Sequence, residues 1–337
     1  MIKTFLATLN PMLMLFICIV VGFVLCKTKI LPENAGKVMA KLETWVFCPA
    51  LSFYTMAYYC TVDNIGTHAT NIILSGLGVA LALAISLTLS RIFVRENVYE
   101  RNVYKYALAF ANSGYVGDPV AQALAGDIGL AYYKLYCLPL SLVIYTWGIA
   151  NLVPHDQKSG ANPLKNLLNA PMIAMVLGII VGLTGAGTFL LGPVSKPTFV
   201  GSTLNALRSC MGPVAMLLAG FTVARYNFKS MLTDVKVYVA TFLRLIVIPA
   251  VIVAFVYGLK TLANLAFGLN IDNFVLYLTF FAVGAPLGLN TVVFPEAYGG
   301  DPKTGASMAM ISHTLCVISI PIMYALLVAL FPCTFPI

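Results

Sequence analysis

The sequence predicts an all-α integral membrane protein. Ten transmembrane helices form two five-helix halves, the second inverted relative to the first, with helices 4 and 9 broken at matching positions. Three observations lead there. Of the 337 residues, 60% are hydrophobic and 9% charged, more apolar surface than a soluble domain of this size can bury. Ten apolar runs, each of about 18–25 residues and so long enough to cross roughly 30 Å of hydrocarbon, recur from end to end. Segments of the first half then return, in order, in the second.

The runs fall at 8–27, 35–59, 68–91, 104–124, 128–152, 170–187, 198–223, 237–258, 274–294 and 305–331. The first follows Lys3 as a signal peptide would, but it passes into "KTKILPEN" without a small-residue cleavage site and reads as a retained helix. The joining loops are short, so no soluble domain remains. With the N-terminus outside, the cytoplasmic side holds Lys27, Lys29, Lys37, Lys41, Arg91, Arg95, Arg101, Lys105, Lys158, Lys165, Arg225, Lys229, Lys236 and Lys303. Only Lys3, Lys196 and Lys260 fall outside, and Lys134, Arg208 and Arg244 lie within runs. The positive-inside rule then places both termini outside the cell membrane. It also accounts for the net charge of +8 without nucleic acid as a partner.

The repeat is read from four matches. "PMLMLFICIVVG" from Pro11 returns as "PMIAMVLGIIVG" from Pro171, and "CPAL" around Pro49 as "GPVAML" around Pro213. "QALAGD" from Gln122 returns as "EAYGGD" from Glu296, and Cys137 and Tyr145 as Cys316 and Tyr324. The offset grows steadily from 160 to 179, as two homologous halves with longer loops in the second would give. The first repeat covers 1–155, a cytoplasmic linker 156–168, and the second repeat 169–337. Five helices per half make the second half inverted, the architecture in which transporters hold substrate between discontinuous helices.

Those discontinuities are visible. The fourth run holds "FANSGYVGDP" and the ninth "FAVGAPLGLNTVVFPEAYGGD"; on the repeat alignment Asn112 faces Pro286, Gly114 faces Gly288 and Val116 faces Asn290. Breaking a helix there frees backbone N–H and C=O groups that hydrocarbon penalises by several kcal/mol each, so the breaks belong in protein or beside a water-filled cavity. A pair of packing kinks is the alternative, and duplication at equivalent positions argues against it.

At these residues the chain resembles the auxin efflux carrier family, which includes the plant PIN-FORMED carriers and bacterial permeases for malate and malonate. The likeness spans nearly the whole chain. It is most specific in "FANSGYVGDP", similar to the family's Asn-x-Gly-x-x-Gly-x-Pro break, and in the stretch from Asn290 through Tyr298, Gly299, Asp301, Ala306, Ser307 and Pro321. "FCPALSF" and "GPVAMLLAGFTVA" match less specifically. The resemblance implies a sodium/proton antiporter-like fold in which helices 4 and 9 cross, and an organic anion bound beside the crossing by Asn112 and Asn290. It further implies elevator-like or rocking movement of helices 3–5 and 8–10 against a scaffold of helices 1, 2, 6 and 7, through which a homodimer is expected. Asp118 and His313 depart from the family pattern, which has an apolar and a small hydroxyl residue there.

The residues allow the same chemistry. Asn112 and Asn290 offer amide donors to a carboxylate, with Ser113, Gly114, Pro286, Gly288 and Thr291 beside them; capping the breaks is the alternative role. Arg208, roughly 15 Å into helix 7 at 1.5 Å per residue, suits the second carboxylate of a dicarboxylate or else pairs with a neighbour. Arg244 and Glu43 read as snorkelling toward the cytoplasmic ends. His313 relays protons or hydrogen-bonds a neighbour. Asp118, directly before Pro119, is either an N-cap of the second half of helix 4 or a site of proton or sodium coupling. The eight cysteines lie singly and read as packing residues rather than as metal ligands, so no cofactor beyond a coupling ion is expected. H-E-x-x-H, G-x-S-x-G and G-x-x-x-x-G-K are all missing, which argues against an enzyme. The expected function is a secondary transporter of small organic anions, carboxylates or dicarboxylates. The alternatives are an anion channel, or a membrane sensor or scaffold with a degenerate site.

Overall fold

The structure, a computed structural model, describes residues 2–153, 168–225, 234–297, 301 and 303–333. Lys158, Lys165 and Lys229 of the basic set, the linker up to residue 167, and Tyr298 and Gly299 lie outside the described residues. Among the described residues every regular element is helical.

The chain begins with α1 (Ile2–Lys27). Next come α2 (Ala35–Leu42) and α3 (Cys48–Tyr59), joined through a π-turn at Glu43–Phe47, and then α4 (Ile65–Phe93). α5 (Val98–Ala109) stops short of a π-turn at Ser113–Gly117, from which α6 (Asp118–Tyr136) continues, kinked at Gly126, where φ is 66° and ψ −172°. α7 (Leu138–Val143) and α8 (Ile149–Leu152) follow. The second half opens with α9 (Ala170–Leu183) and the short α10 (Ala186–Leu191). α11 (Phe199–Ser209) and α12 (Met211–Ala224) follow on one another. α13 (Val235–Phe242) and α14 (Ile248–Phe267) join through a π-turn at Leu243–Val247. α15 (Phe274–Gly284) and α16 (Asn290–Ala297) are separated by a break, and α17 (Lys303–Leu330) ends the described fold.

Among the described residues, five helices are long and apolar enough to cross a membrane: Leu9–Lys27, Gly66–Phe93, Phe199–Ala224, Val235–Phe267 and Lys303–Leu330. The bent pair Ser113–Tyr136 and Leu138–Leu152 makes a sixth if it counts as one span. Fewer helices pass than there are apolar runs in part because α9 and α15 are only 14 and 11 residues long. This is a multi-pass membrane protein.

Three π-turns share a sequence cause. Pro49, Pro119 and Pro249 each stand two residues beyond a π-turn, after Phe47, Gly117 and Val247 respectively. Proline lacks an N–H and its ring strikes the carbonyl four residues back. The wider turn moves that carbonyl aside without ending the helix.

Glycine sets the closest helix contacts. α1 packs along α12, and α9 along α3. A Cβ on Gly22 would come within 2.1 Å of the Leu217 carbonyl oxygen, and one on Gly182 within 2.4 Å of that of Cys60. These are repeat-matched glycines at matched helix pairs, and the small residue is what lets the backbones approach. α15 is buried on every side, as a helix hydrophobic all round must be, and its C-terminal end delivers the second break to the interior.

Candidate functional site

The two breaks meet. α5 ends at Ala109 and α15 at Gly284, and Phe110 and Ala285 turn to extended backbone. Pro286 favours that, because the residue before a proline avoids helical geometry. The Asn112 N–H then donates to the Pro286 carbonyl at 2.7 Å and the Gly288 N–H reaches the Phe110 carbonyl at 3.4 Å, forming an antiparallel bridge between Ala111 and Leu287. Each broken helix so satisfies backbone groups that the other has freed. The antiparallel bridge sets Asn112 opposite Pro286 and Phe110 opposite Gly288.

Asn112 is buried, and two side-chain hydrogen bonds leave one Nδ2 hydrogen of its amide unused. Its Oδ1 accepts from the Tyr115 N–H at 3.2 Å and its Nδ2 lies 3.2 Å from His313 Nε2. His313 Nδ1 is 2.8 Å from the Ala309 carbonyl, so the ring proton belongs on Nδ1 and Nε2 accepts from Asn112. Asn290 Nδ2 donates to the Tyr106 hydroxyl at 2.7 Å. The Thr291 hydroxyl donates to the Gly288 carbonyl at 3.0 Å, a contact within its own turn.

Beside the crossing lies a cavity of about 160 Å³. The crossing contributes Asn112, Ser113, Gly114, Gly288 and Asn290; Thr44, Cys48 and Ser52 line it from the π-turn and α3, and Ser141 and Tyr145 line it as well. Its charged lining residues are Asp118 and Lys134. Lys134 Nζ donates to Asp118 Oδ2 at 2.6 Å, with side chains 10% and 4% exposed. A short, largely desolvated ion pair is thus built into the wall.

Several sequence expectations need correction. Arg208 is outside the cavity lining: its Nη1 and Nη2 donate to Asp127 Oδ1 and Oδ2 at 2.8 and 2.9 Å, and it lies over the Tyr54 ring. Of the two roles expected for it, pairing with a neighbour is the arrangement present. Pro286, Thr291 and His313 do not line the cavity; they support residues that do. Asp118 is not an N-cap, because the second half of helix 4 starts five residues earlier and is capped by Asn112. Nor do Glu43 and Arg244 snorkel: they are 0% and 2% exposed. Arg244 Nη2 points to the Ala285 carbonyl at 3.4 Å, at the open C-terminal end of α15, where a cation is favoured. Lys134 was passed over as a site residue; its signal was a cation inside an apolar run.

Among curated proteins, none matches the chain. A family model described as membrane transport protein matches residues 7–324, and that family is the one that holds the auxin efflux carriers and PIN proteins. The chain, with two broken helices bridged at their breaks around an amide-lined cavity, belongs to the membrane transport protein family of the auxin efflux carriers.

Proposed function

We propose that this protein is a secondary transporter of small organic anions, carboxylates or dicarboxylates of the size of malonate or malate, working by alternating access. One observation carries the reading: the cavity is lined both by the amides of Asn112 and Asn290 and by Ser113 and Gly114, which open a half-helix. Amide donors and a helix N-terminus both favour an anion. A volume of about 160 Å³, below the roughly 300–1,000 Å³ of drug-sized ligand sites, favours a small acid.

The architecture that goes with this reading is ten helices in a 5+5 inverted repeat, in the cell membrane with both termini outside. Helices 3–5 and 8–10 form the moving part, and helices 1, 2, 6 and 7 the scaffold and the surface for a second copy of the chain. The matched packing of α1 on α12 and α9 on α3 supports it. Single cysteines introduced at 92–100 and 226–235, after replacement of the native ones, are expected to be labelled only from the cytoplasm, and those at 61–67 and 188–195 only from outside. Labelling of 92–100 from outside intact cells refutes this orientation. For function, the purified protein in liposomes is assayed with labelled acetate, malonate and malate. Saturable uptake with counterflow is expected; flux that does not saturate means a channel, and no flux means a sensor or scaffold.

A further inference from the structure

The cavity holds one negative and one positive side chain already joined, so its charged lining residues sum to zero. A carboxylate entering beside that pair leaves one uncompensated negative charge in a desolvated site, and the penalty for such a charge is several kcal/mol. Lys134 is the cation of the lining, and Arg208 and Arg244 do not belong to that lining. An entering carboxylate therefore has to take Lys134 from Asp118, which in turn needs its charge neutralised.

We propose that Lys134 is the counter-charge of the substrate and that Asp118 releases it by taking up a proton, so that one proton is carried with each carboxylate that displaces Asp118. The inference rests on the crossing being the anion site. The exchange balances: an Asp118 carboxylate paired with the Lys134 ammonium, plus one substrate carboxylate and one proton, becomes an Asp118 carboxylic acid and a Lys134 ammonium paired with substrate. No covalent bond other than the O–H forms, and for a monocarboxylate the charge of the site is zero before and after.

The surroundings fit a proton better than a metal ion. Sodium beside Asp118 would sit against the Lys134 ammonium, 2.6 Å from the carboxylate. The titratable groups in electrostatic range of the pair are Glu43 and Cys48 from the second helix, and Tyr133, Cys137 and Tyr145 from the fifth. None is a cation that could replace Lys134. Glu43 is buried with no hydrogen-bond partner on either carboxyl oxygen, an environment that favours the neutral acid, so it supplies no charge to pair with Lys134.

The test uses the full-length protein, with binding of acetate, malonate and malate measured from pH 6 to 8 in detergent and uptake measured in liposomes. Uptake of one proton on binding makes the wild-type Kd rise about tenfold per pH unit. Asp118→Asn should flatten that slope and abolish acceleration of uptake by an inside-alkaline gradient. Lys134→Gln should weaken binding at least tenfold. Because it strands Asp118 without a partner, the double variant D118N/K134Q, which removes both charges, is measured beside it: it should unfold at the wild-type temperature, bind weakly and show no slope. A wild-type slope in Asp118→Asn, wild-type affinity in the double variant, or acceleration by a sodium gradient in place of the proton gradient overturns the proposal. If no probe binds the wild type, or if Asn290→Ala binds as the wild type does, the reading of the crossing fails and this inference with it. If Asn290→Ala loses binding but Asp118→Asn and the double variant behave as wild type, this inference alone fails.

Discussion

Replacing Asn112 by serine and by alanine separates two roles held by one side chain. Its Oδ1 caps the second half of helix 4 through the Tyr115 N–H, and its Nδ2 donates to His313 Nε2 at the cavity wall. Serine retains a capping oxygen and alanine does not, a difference worth about 1 kcal/mol. Both substitutions leave the buried His313 Nε2 without its donor, which costs about 1–3 kcal/mol. Asn112→Ser should therefore lose about 1–3 kcal/mol of stability and Asn112→Ala about 1 kcal/mol more. Both remove the amide donor from the cavity, so carboxylate affinity should fall about tenfold to over a hundredfold in each, the equivalent of about 1.5–3 kcal/mol for a hydrogen bond to a charged group. Thermal unfolding of the purified variants reads the first difference and equilibrium binding the second. Equal unfolding temperatures for serine and alanine would remove the cap from the argument. Wild-type affinity in either variant would remove Asn112 from the anion site.

Gly22→Ala and Gly182→Ala should each destabilise by about 1–3 kcal/mol through overpacking, since the new Cβ meets a facing carbonyl oxygen at 2.1 or 2.4 Å; Gly258→Ala, with nothing within 4 Å, is the control, and equal thermal midpoints for all three would contradict the close helix contact. Arg208→Lys and Asp127→Asn should both lower stability, by about 1–3 kcal/mol for a charge-assisted bidentate pair, and leave carboxylate affinity within about twofold; a tenfold loss of affinity in Arg208→Lys would return that residue to the substrate site. Arg244→Met should raise the unfolding temperature, because Nε and Nη1 are buried without partners and apolar replacement of a poorly satisfied buried charge is often stabilising, while lowering transport by taking a cation from the open end of α15; a variant with a lower unfolding temperature would mean that the guanidinium stabilises the break.

What was legible in the sequence follows the range of the forces involved. The apolar runs are a local property, and so are the breaks, because Gly114, Gly117, Pro286 and Gly288 disfavour helix wherever they stand. Three of the four π-turns among the described residues, all but Ile144–Gly148, were also within reach, as each precedes Pro49, Pro119 or Pro249 by the same spacing. That spacing explains the misreading of Asp118. An acidic residue before a proline has the look of an N-cap, but after a π-turn the same dipeptide sits inside a continuing helix. The pairing of the two breaks came from the repeat and from no local signal. It depends on which backbone groups meet across the crossing, and here the Asn112 N–H meets the Pro286 carbonyl.

The basic residues inside the apolar runs show where local reading stops. Lys134, Arg208 and Arg244 are equally costly by a rule that knows only depth in the membrane, and that rule favoured Arg208 for its planar fork. The fold separates them by their acceptors. Arg208 is held at both terminal nitrogens by Asp127, 81 positions away in sequence, so a substrate would have to replace two good hydrogen bonds and gain nothing. Arg244 faces a backbone carbonyl, which cannot move away or take up a proton. Lys134 alone of the three has its partner in the cavity wall, and that partner is a carboxylate, the same chemical group as the proposed substrate. A like-for-like exchange keeps the ammonium paired throughout and avoids the penalty of stranding it. For a carrier that must release what it binds, the cation to use is the one whose resting partner competes with the substrate on nearly equal terms.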